Sequence, residues 1–281
     1  MLILGGVIVL VAGVLALRLW RFSDGRADRR LWDSLARTVP TGEQVRFDSA
    51  MVDGLPAAAR RYFSYSIQPG TPLVSAVELE MEGEIGLGTR DKPGYRPMRA
   101  RQILAPPHGL VWRVRSGSIA GSDGASTSQS WTRFWLFGVL PVVRAGGNAD
   151  HRRAAFGRVV AEAAFWAPAS LLPGPHVTWH GVDEATARAE VRFGGLAQVV
   201  EVTVDDSGEP RQVVIERWSN ANRDKVYRLQ PFGGVPSRFR DCEGYRLPTR
   251  VEGGNFFGTE DYFPFFKATV TTLRAAVPLS R

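Results

Sequence analysis

Residues 2–17 of this 281-residue chain form an unbroken run of Leu, Ile, Val, Ala and Gly. A soluble domain does not leave such a run at an exposed start. In a bilayer, a single segment can satisfy its own backbone polar groups only as a helix. Spanning takes about 20 apolar residues, which residues 1–20 supply if the Arg18 side chain reaches back to the interface. A cleaved leader carries basic residues before its apolar run and small residues at a cleavage site after it. Here no Lys or Arg precedes the run, and Arg18-Leu19-Trp20-Arg21 follows it. The run therefore reads as an uncleaved single-pass anchor. The sole cysteine, Cys242, is too far along the chain for an N-terminal lipid attachment.

Five arginines, Arg18, Arg21, Arg26, Arg29 and Arg30, follow the anchor. By the positive-inside rule such a cluster stays cytoplasmic, which predicts a cytoplasmic-facing domain. It also attracts anionic headgroups, at about 1 kcal/mol per charge near the surface. The formal net charge of +7 raises the question of nucleic acid. However, the basic residues are dispersed among acidic ones and no nucleic-acid motif accompanies them, so membrane lipid is the expected partner. A single cysteine excludes an intrachain disulfide framework and a cysteine-based zinc site, and no cofactor is expected. No motif singles out a protein partner.

The chain divides into an anchor at 1–20, a basic juxtamembrane helix or linker at 21–44, and one β-rich domain at 45–276. Residues 28–39 place Leu31, Trp32 and Leu35 on one helical face before Pro40, which predicts a short amphipathic helix at the membrane surface. Residues 55–63 predict a second helix, with Pro56 at its tolerant first position. From Val74 the period becomes two. Val77, Leu79, Met81 and Ile85 point one way, while Glu78, Glu80, Glu82 and Glu84 point the other. Neighbouring carboxylates on that face lie about 6.6 Å apart, a spacing for cross-strand arginines rather than a metal ion. Further strands are predicted at 98–104, 110–115, 176–179, 186–193, 198–204, 212–218, 246–253 and 266–273, with 205–210 as a hairpin turn. Residues 154–166 interrupt them as an Ala-rich amphipathic helix. The fold class is thus α+β, mainly antiparallel β: a curved sheet or half-barrel packed around a helix, with an N-terminal transmembrane helix.

Several runs carry a likeness. Arg99-Ala100-Arg101-Gln102, Gly109-Leu110-Val111-Trp112, Phe137-Gly138-Val139-Leu140-Pro141, Ala161-Glu162-Ala163, Leu171-Leu172-Pro173 and Pro231-Phe232-Gly233-Gly234 resemble a bacterial family of membrane-tethered proteins catalogued as a domain of unknown function. The order of meander, helix and hairpins ending in Gly244-Tyr245-Arg246-Leu247-Pro248-Thr249-Arg250 more distantly resembles the LolA-like lipoprotein-carrier half-barrels. That resemblance implies a greasy cavity between sheet and helix, and an extracytoplasmic location opposite to the one the arginines predict.

Catalytic patterns do not emerge. His176 and His180 fall on a predicted strand, about 13 Å apart, too far to share a metal ion. Gly117-Ser118-Ile119-Ala120-Gly121 lacks the spacing of a nucleophile elbow. The expected function is therefore non-catalytic binding of a lipid or other apolar ligand at the membrane surface. The candidate ligand-binding residues are the aromatic cluster Trp112, Trp131, Trp135, Phe137, Phe165 and Trp166, together with Glu162 and Arg101. An unpaired Glu162 is costly to bury on its Ala-rich helix, and Arg101, Arg113, Arg144 and Arg250 are its candidate partners. The apolar stretch 131–143, which includes Gly138 and Pro141, is alternatively a lid or a membrane-contacting segment. Two other readings stay open. One is an interaction module whose half-barrel is filled by its own side chains. The other is a hydrolase in which Glu162, a histidine or Asp123 meets a nucleophile.

Overall fold

The computed structural model describes residues 2–38 and 45–276. Helix α1 (Leu2–Ala36) is one unbroken helix, where the sequence predicts an anchor followed by a separate short helix. Gly25 is the only weak helix former between the two, and a lone glycine costs only about 1 kcal/mol. The expected helix end at Val39 and Pro40, and the last residues of the expected linker, lie outside the described residues. The first half of α1 is long and apolar enough to cross a membrane and exposes Val9, Leu10, Leu15 and Leu19. Its second half does not lie free at a membrane surface. Leu31, Trp32, Leu35 and Ala36 are buried against Ile103, Val111 and Trp131 of the sheet.

Helix α2 (Ala57–Ser66) precedes six strands: β1 (Val77–Gly86), β2 (Tyr95–Ala105), β3 (Gly109–Ser116), β4 (Ile119–Ser126), β5 (Ser130–Leu136) and β6 (Leu140–Gly146). Helix α3 (Ala149–Trp166) then leads to β7 (Val177–Gly181), β8 (Thr186–Phe193), β9 (Leu196–Val204), β10 (Pro210–Ser219), β11 (Arg228–Cys242), β12 (Tyr245–Asn255) and β13 (Phe263–Ala275). All thirteen strands join one open antiparallel sheet in the order β6-β5-β4-β3-β2-β1-β13-β12-β11-β10-β9-β8-β7. Strands β5 and β10 are eight places apart in that order, about 38 Å across a flat sheet at about 4.8 Å per strand. Helix α3 nevertheless touches both, so the sheet curls around it as a half-barrel.

Sheet and helices meet in one main core, with α2 and α3 on the inner face and the second half of α1 on the outer. Several polar groups carried into the core find backbone partners. Tyr62 donates to the carbonyl of Ala164 at 2.9 Å, Trp166 to that of Pro248 at 3.2 Å and Trp179 to that of Leu171 at 2.7 Å. On β1 the outward glutamates meet arginines: Glu78 pairs with Arg101 and Arg274 at 3.0 and 2.7 Å, and Glu82 with Arg99 at 3.1 Å.

The β9–β10 turn is organised by Asp205. Its carboxylate accepts from the Ser207 hydroxyl at 2.7 Å and the Glu209 amide at 3.0 Å, and it pairs with Arg211 at 2.5 Å. The Ser207 hydrogen bond leads these in holding the Asp205 carboxyl at about 2, against an ordinary 3.8. A carboxyl with a depressed folded-state pKa stabilises fully above its unfolded value and loses that contribution as pH falls through the folded one. The stability difference between wild type and Asp205→Asn should therefore hold steady above about pH 5 and vanish by about pH 1, as measured by thermal unfolding. A difference independent of pH would show that the charge contributes nothing.

Candidate functional site

Helix α3 begins at Asn148, whose side chain accepts the His151 amide at 2.8 Å, a normal N-cap. Its inner face carries Phe156, Val159, Val160 and Ala163 into the core and presents Ala161, Phe165 and Trp166 toward the sheet. Opposite them the wall is formed by Gly233 and Gly234 of β11 and Gly253 of β12. A small helix residue facing a wall without side chains leaves a gap. A Cβ on Gly233 would lie 2.8 Å from the Phe257 ring and one on Gly234 would lie 2.9 Å from the Glu252 carbonyl, so neither position admits a larger residue.

The gap is a cavity of about 220 Å³, lined by Ile85, Trp112, Phe134, Phe165, Trp166, Val213, Phe232, Val251, Phe265 and Phe266. Its polar residues are Asp123, Thr132, Arg158, Glu162 and Arg217. A second chamber of about 330 Å³ shares Asp123, Thr132, Arg158, Arg217 and Phe265 with the first and adds polar residues including His151, Asn220, Tyr227 and Asn255. An apolar chamber and a polar one thus meet at a charged seam.

Within the seam Arg158 holds both carboxylates, Glu162 at 2.5 Å and Asp123 at 2.7 Å, and its guanidinium lies over the Trp112 ring at 5.0 Å. Gln102 also donates to Glu162. Burial would lower the Arg158 pKa, but Glu162 and Asp123 outweigh it and hold the cation more firmly charged than usual. Arg217 differs. Its Nε donates to the Ala154 carbonyl at 3.3 Å and its guanidinium lies 4.8 Å from the Phe232 ring centroid. Among the described residues it makes no ion pair. Burial first, then the nearby Arg158, push its pKa down to about 10, so it remains a cation at neutral pH. Three seam atoms lack hydrogen-bond partners among the described residues: Nε1 of the buried Trp112, Oδ1 of Asp123 and Oε1 of Gln102. An unsatisfied buried polar group is a marked feature in a folded domain. These groups point to a guest that carries its own polar atoms.

Of the residues singled out from the sequence, Trp112, Glu162, Phe165 and Trp166 come together at this cavity. Trp131, Trp135 and Arg101 turn to the other face of the sheet, beside α1, although Trp131 also borders the second chamber. Trp131 donates to Ser122 at 3.1 Å, Trp135 donates to Asp24 at 3.0 Å, and Arg101 pairs with Glu78 and lies over Trp32. Strand alternation explains the split: Thr132 and Phe134 of β5 face the cavity, which sends Trp131 and Trp135 outward. Phe137 is exposed in the β5–β6 turn. The arginine that meets Glu162 is none of the four expected. Arg113 lies over Trp32 near Asp28, Arg144 pairs with Asp24, and Arg250 pairs with Glu252. Arg158 sits one turn before Glu162 on the same helix, and the i, i+4 spacing was readable in the sequence. Arg217 carried no such signal.

A family model described as a family of unknown function (DUF6544) matches residues 45–268. No curated protein matches the chain. Among solved structures the chain is similar to a candidate outer membrane lipoprotein-sorting protein domain from Vibrio parahaemolyticus, at 11% identity and a TM-score of 0.38, covering 73% of this chain and 87% of that one. It is also similar to a LolA superfamily protein from Nitrosomonas europaea, at 10% identity and a TM-score of 0.41, covering 79% and 94%. A DUF1329 family protein from Desulfovibrio piger matches at 13% identity and a TM-score of 0.41, covering 82% and 94%.

Proposed function

The chain belongs to the DUF6544 family of unknown function, and from its cavity we propose that it is a membrane-anchored domain that binds an amphiphile, with the apolar tail between α3 and the sheet and an acidic head at Arg217. The observation that carries this reading is the apolar space of about 220 Å³ left open inside the half-barrel. An apolar cavity of about 150 Å³ already holds benzene, so this one admits a segment of acyl chain or a ring. Together the two chambers reach the roughly 300–1,000 Å³ of ordinary ligand pockets. A module filled by its own side chains would have no such space.

Tail and head are treated differently by the site. Aromatic and aliphatic walls gain roughly 25 cal/mol for each Å² of apolar surface withdrawn from water. The head meets a cation that makes no ion pair among the described residues, for which an anion restores what burial removed. Helix α1 supports the membrane setting, because the helix that carries the apolar run is also built into the outer face of the domain. Binding needs no bond to be made or broken.

Native mass spectrometry of the full chain after gentle extraction should show a co-purified lipid, and a fluorescent fatty acid should be displaced by unlabelled fatty acid. A fatty alcohol of equal length should compete about ten- to a hundredfold more weakly, the range of one hydrogen bond to a charged group. Arg217→Met should abolish that preference and leave the alcohol unaffected. If neither compound competes and nothing co-purifies, the ligand reading is wrong.

A further inference from the structure

Helix α1 crosses the outer face of the sheet from β2 to β6, and its contacts fix where it leaves the domain: Arg101 of β2 and Arg113 of β3 lie over Trp32. Asp28 accepts a hydrogen bond from Ser122 at 2.7 Å, and Ser122 is the β4 partner of Arg133 on β5. One helical turn toward the N-terminus, Asp24 accepts from Trp135 at 3.0 Å and pairs with Arg144 at 2.8 Å. A further turn on, Trp20 meets Trp135 edge-to-face at 5.6 Å, and Arg144 lies over the Trp20 ring at 4.2 Å. Moving from Asp28 to Trp20 covers about 12 Å of helix, and moving from Ser122 on β4 to its register mate Arg144 on β6 covers two strands, about 10 Å across the sheet. Helix α1 thus leaves the sheet at its β6 edge, and the β5–β6 hairpin is the part of the domain beside the end of the apolar run.

That tip is apolar and uncovered. Phe137 is 71% exposed, Leu140 51%, Val142 47% and Val143 43%. The turn itself takes positive φ at Phe137 (52°) and Gly138 (69°), a conformation a bulky side chain adopts only at an energetic penalty. Nothing in the fold gains from an exposed phenylalanine held there. Immediately behind the tip come Trp20, Arg21 and Arg144, the residue types that sit at the headgroup level of a bilayer.

We infer that the β5–β6 hairpin is a second membrane contact, with Phe137 and Leu140 sinking into the interface of the bilayer that α1 crosses. This rests on the anchor reading of α1. The domain is then seated on the membrane by two elements rather than swinging from one. Phe134, three residues from the tip or about 10 Å along the strand, lines the apolar chamber, so the seat brings that chamber close to the lipid. The favoured occupant of the patch is lipid rather than protein because the patch continues the apolar face of the spanning helix and is backed by cations.

The test uses the full chain in nanodiscs of phosphatidylcholine and phosphatidylglycerol, with Cys242→Ser to remove the only native thiol. Spin labels are placed through Phe137→Cys, through Leu10→Cys in the apolar run, and through Ser207→Cys in the exposed β9–β10 turn. Accessibility to oxygen and to a water-soluble nickel complex is read at each position. The ratio of oxygen to nickel accessibility at 137 should be several-fold above that at 207 and approach that at 10. A label at 10 embedded in lipid beside a fully aqueous label at 137 would overturn the inference while leaving the anchor intact. An aqueous label at 10 would overturn both. A label at 137 shielded from both reagents would mean that a protein surface, not lipid, covers the hairpin. As a second measure, Phe137→Asp with Leu140→Asp should leave the melting temperature unchanged and increase the tumbling of a label at 207. Unchanged tumbling would count against the seat.

Discussion

Replacing Arg158 with Met is expected to lower the stability of the domain by about 3–5 kcal/mol, the largest effect of any single substitution at the site. Asp123 and Glu162 are both mostly buried and both rely on this guanidinium, at 2.7 and 2.5 Å. Removing one member of a buried ionic group leaves the others desolvated without a counter-charge, which costs far more than the net worth of the pairing. Arg158→Lys should recover part of the loss, since an ammonium supplies the charge but not the fork that reaches two carboxylates at once. Arg217→Met strands no carboxylate and should fall within about 1 kcal/mol of wild type, in the range of an ordinary substitution. In a domain of this size 3–5 kcal/mol lowers the melting temperature by about 10 °C, readable by circular dichroism in detergent. An Arg158→Met protein within about 1 kcal/mol of wild type would mean that the carboxylates are solvated and the seam is not a buried network.

The same seam shows what the sequence could and could not convey. Strand alternation was legible wherever bulky apolar residues occupied every second position, as in β1, β8, β9 and β10. It was not legible in β4, where Ile119 is followed by Ala, Gly and Ser with Asp123 among them. Those residues are small because Trp131 leans over Gly124, where a Cβ would lie 2.2 Å from the indole, so the strand's own pattern was erased by its neighbour's bulk. Strand β11, with Pro231, Gly233, Gly234 and Pro236, was hidden for a related reason: Gly234, one of the glycines that weaken its pattern, stands on the cavity side, next to Phe165. The helix in the half-barrel was evident from its own spacing; the i, i+4 arginine was present in the sequence too, although the expected partners of Glu162 were four arginines that lie on strands. The face on which each tryptophan lands depends on register across three strands. Trp112 and Trp135 looked alike in the sequence and point to opposite sides of the sheet.

Filling the cavity from the helix side is the substitution that separates ligand binding from folding. Ala161 is 5% exposed and faces the apolar chamber from α3. Ala161→Phe places a benzene-sized ring into about 220 Å³ of space, more than the roughly 150 Å³ that accommodates benzene in an apolar cavity. The helix loses about 0.5 kcal/mol in propensity, while burial of the ring contributes about 1.5–3 kcal/mol, so the melting temperature should stay level or rise. Tail binding should fall by about a hundredfold, the equivalent of about 2.7 kcal/mol of lost apolar contact. Fatty acid and fatty alcohol should suffer equally, because the ring displaces the tail and leaves the seam untouched. That pattern is opposite to Arg217→Met, which affects the acid alone, and the two variants together assign tail and head to different chambers. A fall in stability of about 1–3 kcal/mol, the usual result of overpacking, would show that the space cannot be entered from α3. Undiminished binding in a stable Ala161→Phe protein would place the ligand elsewhere.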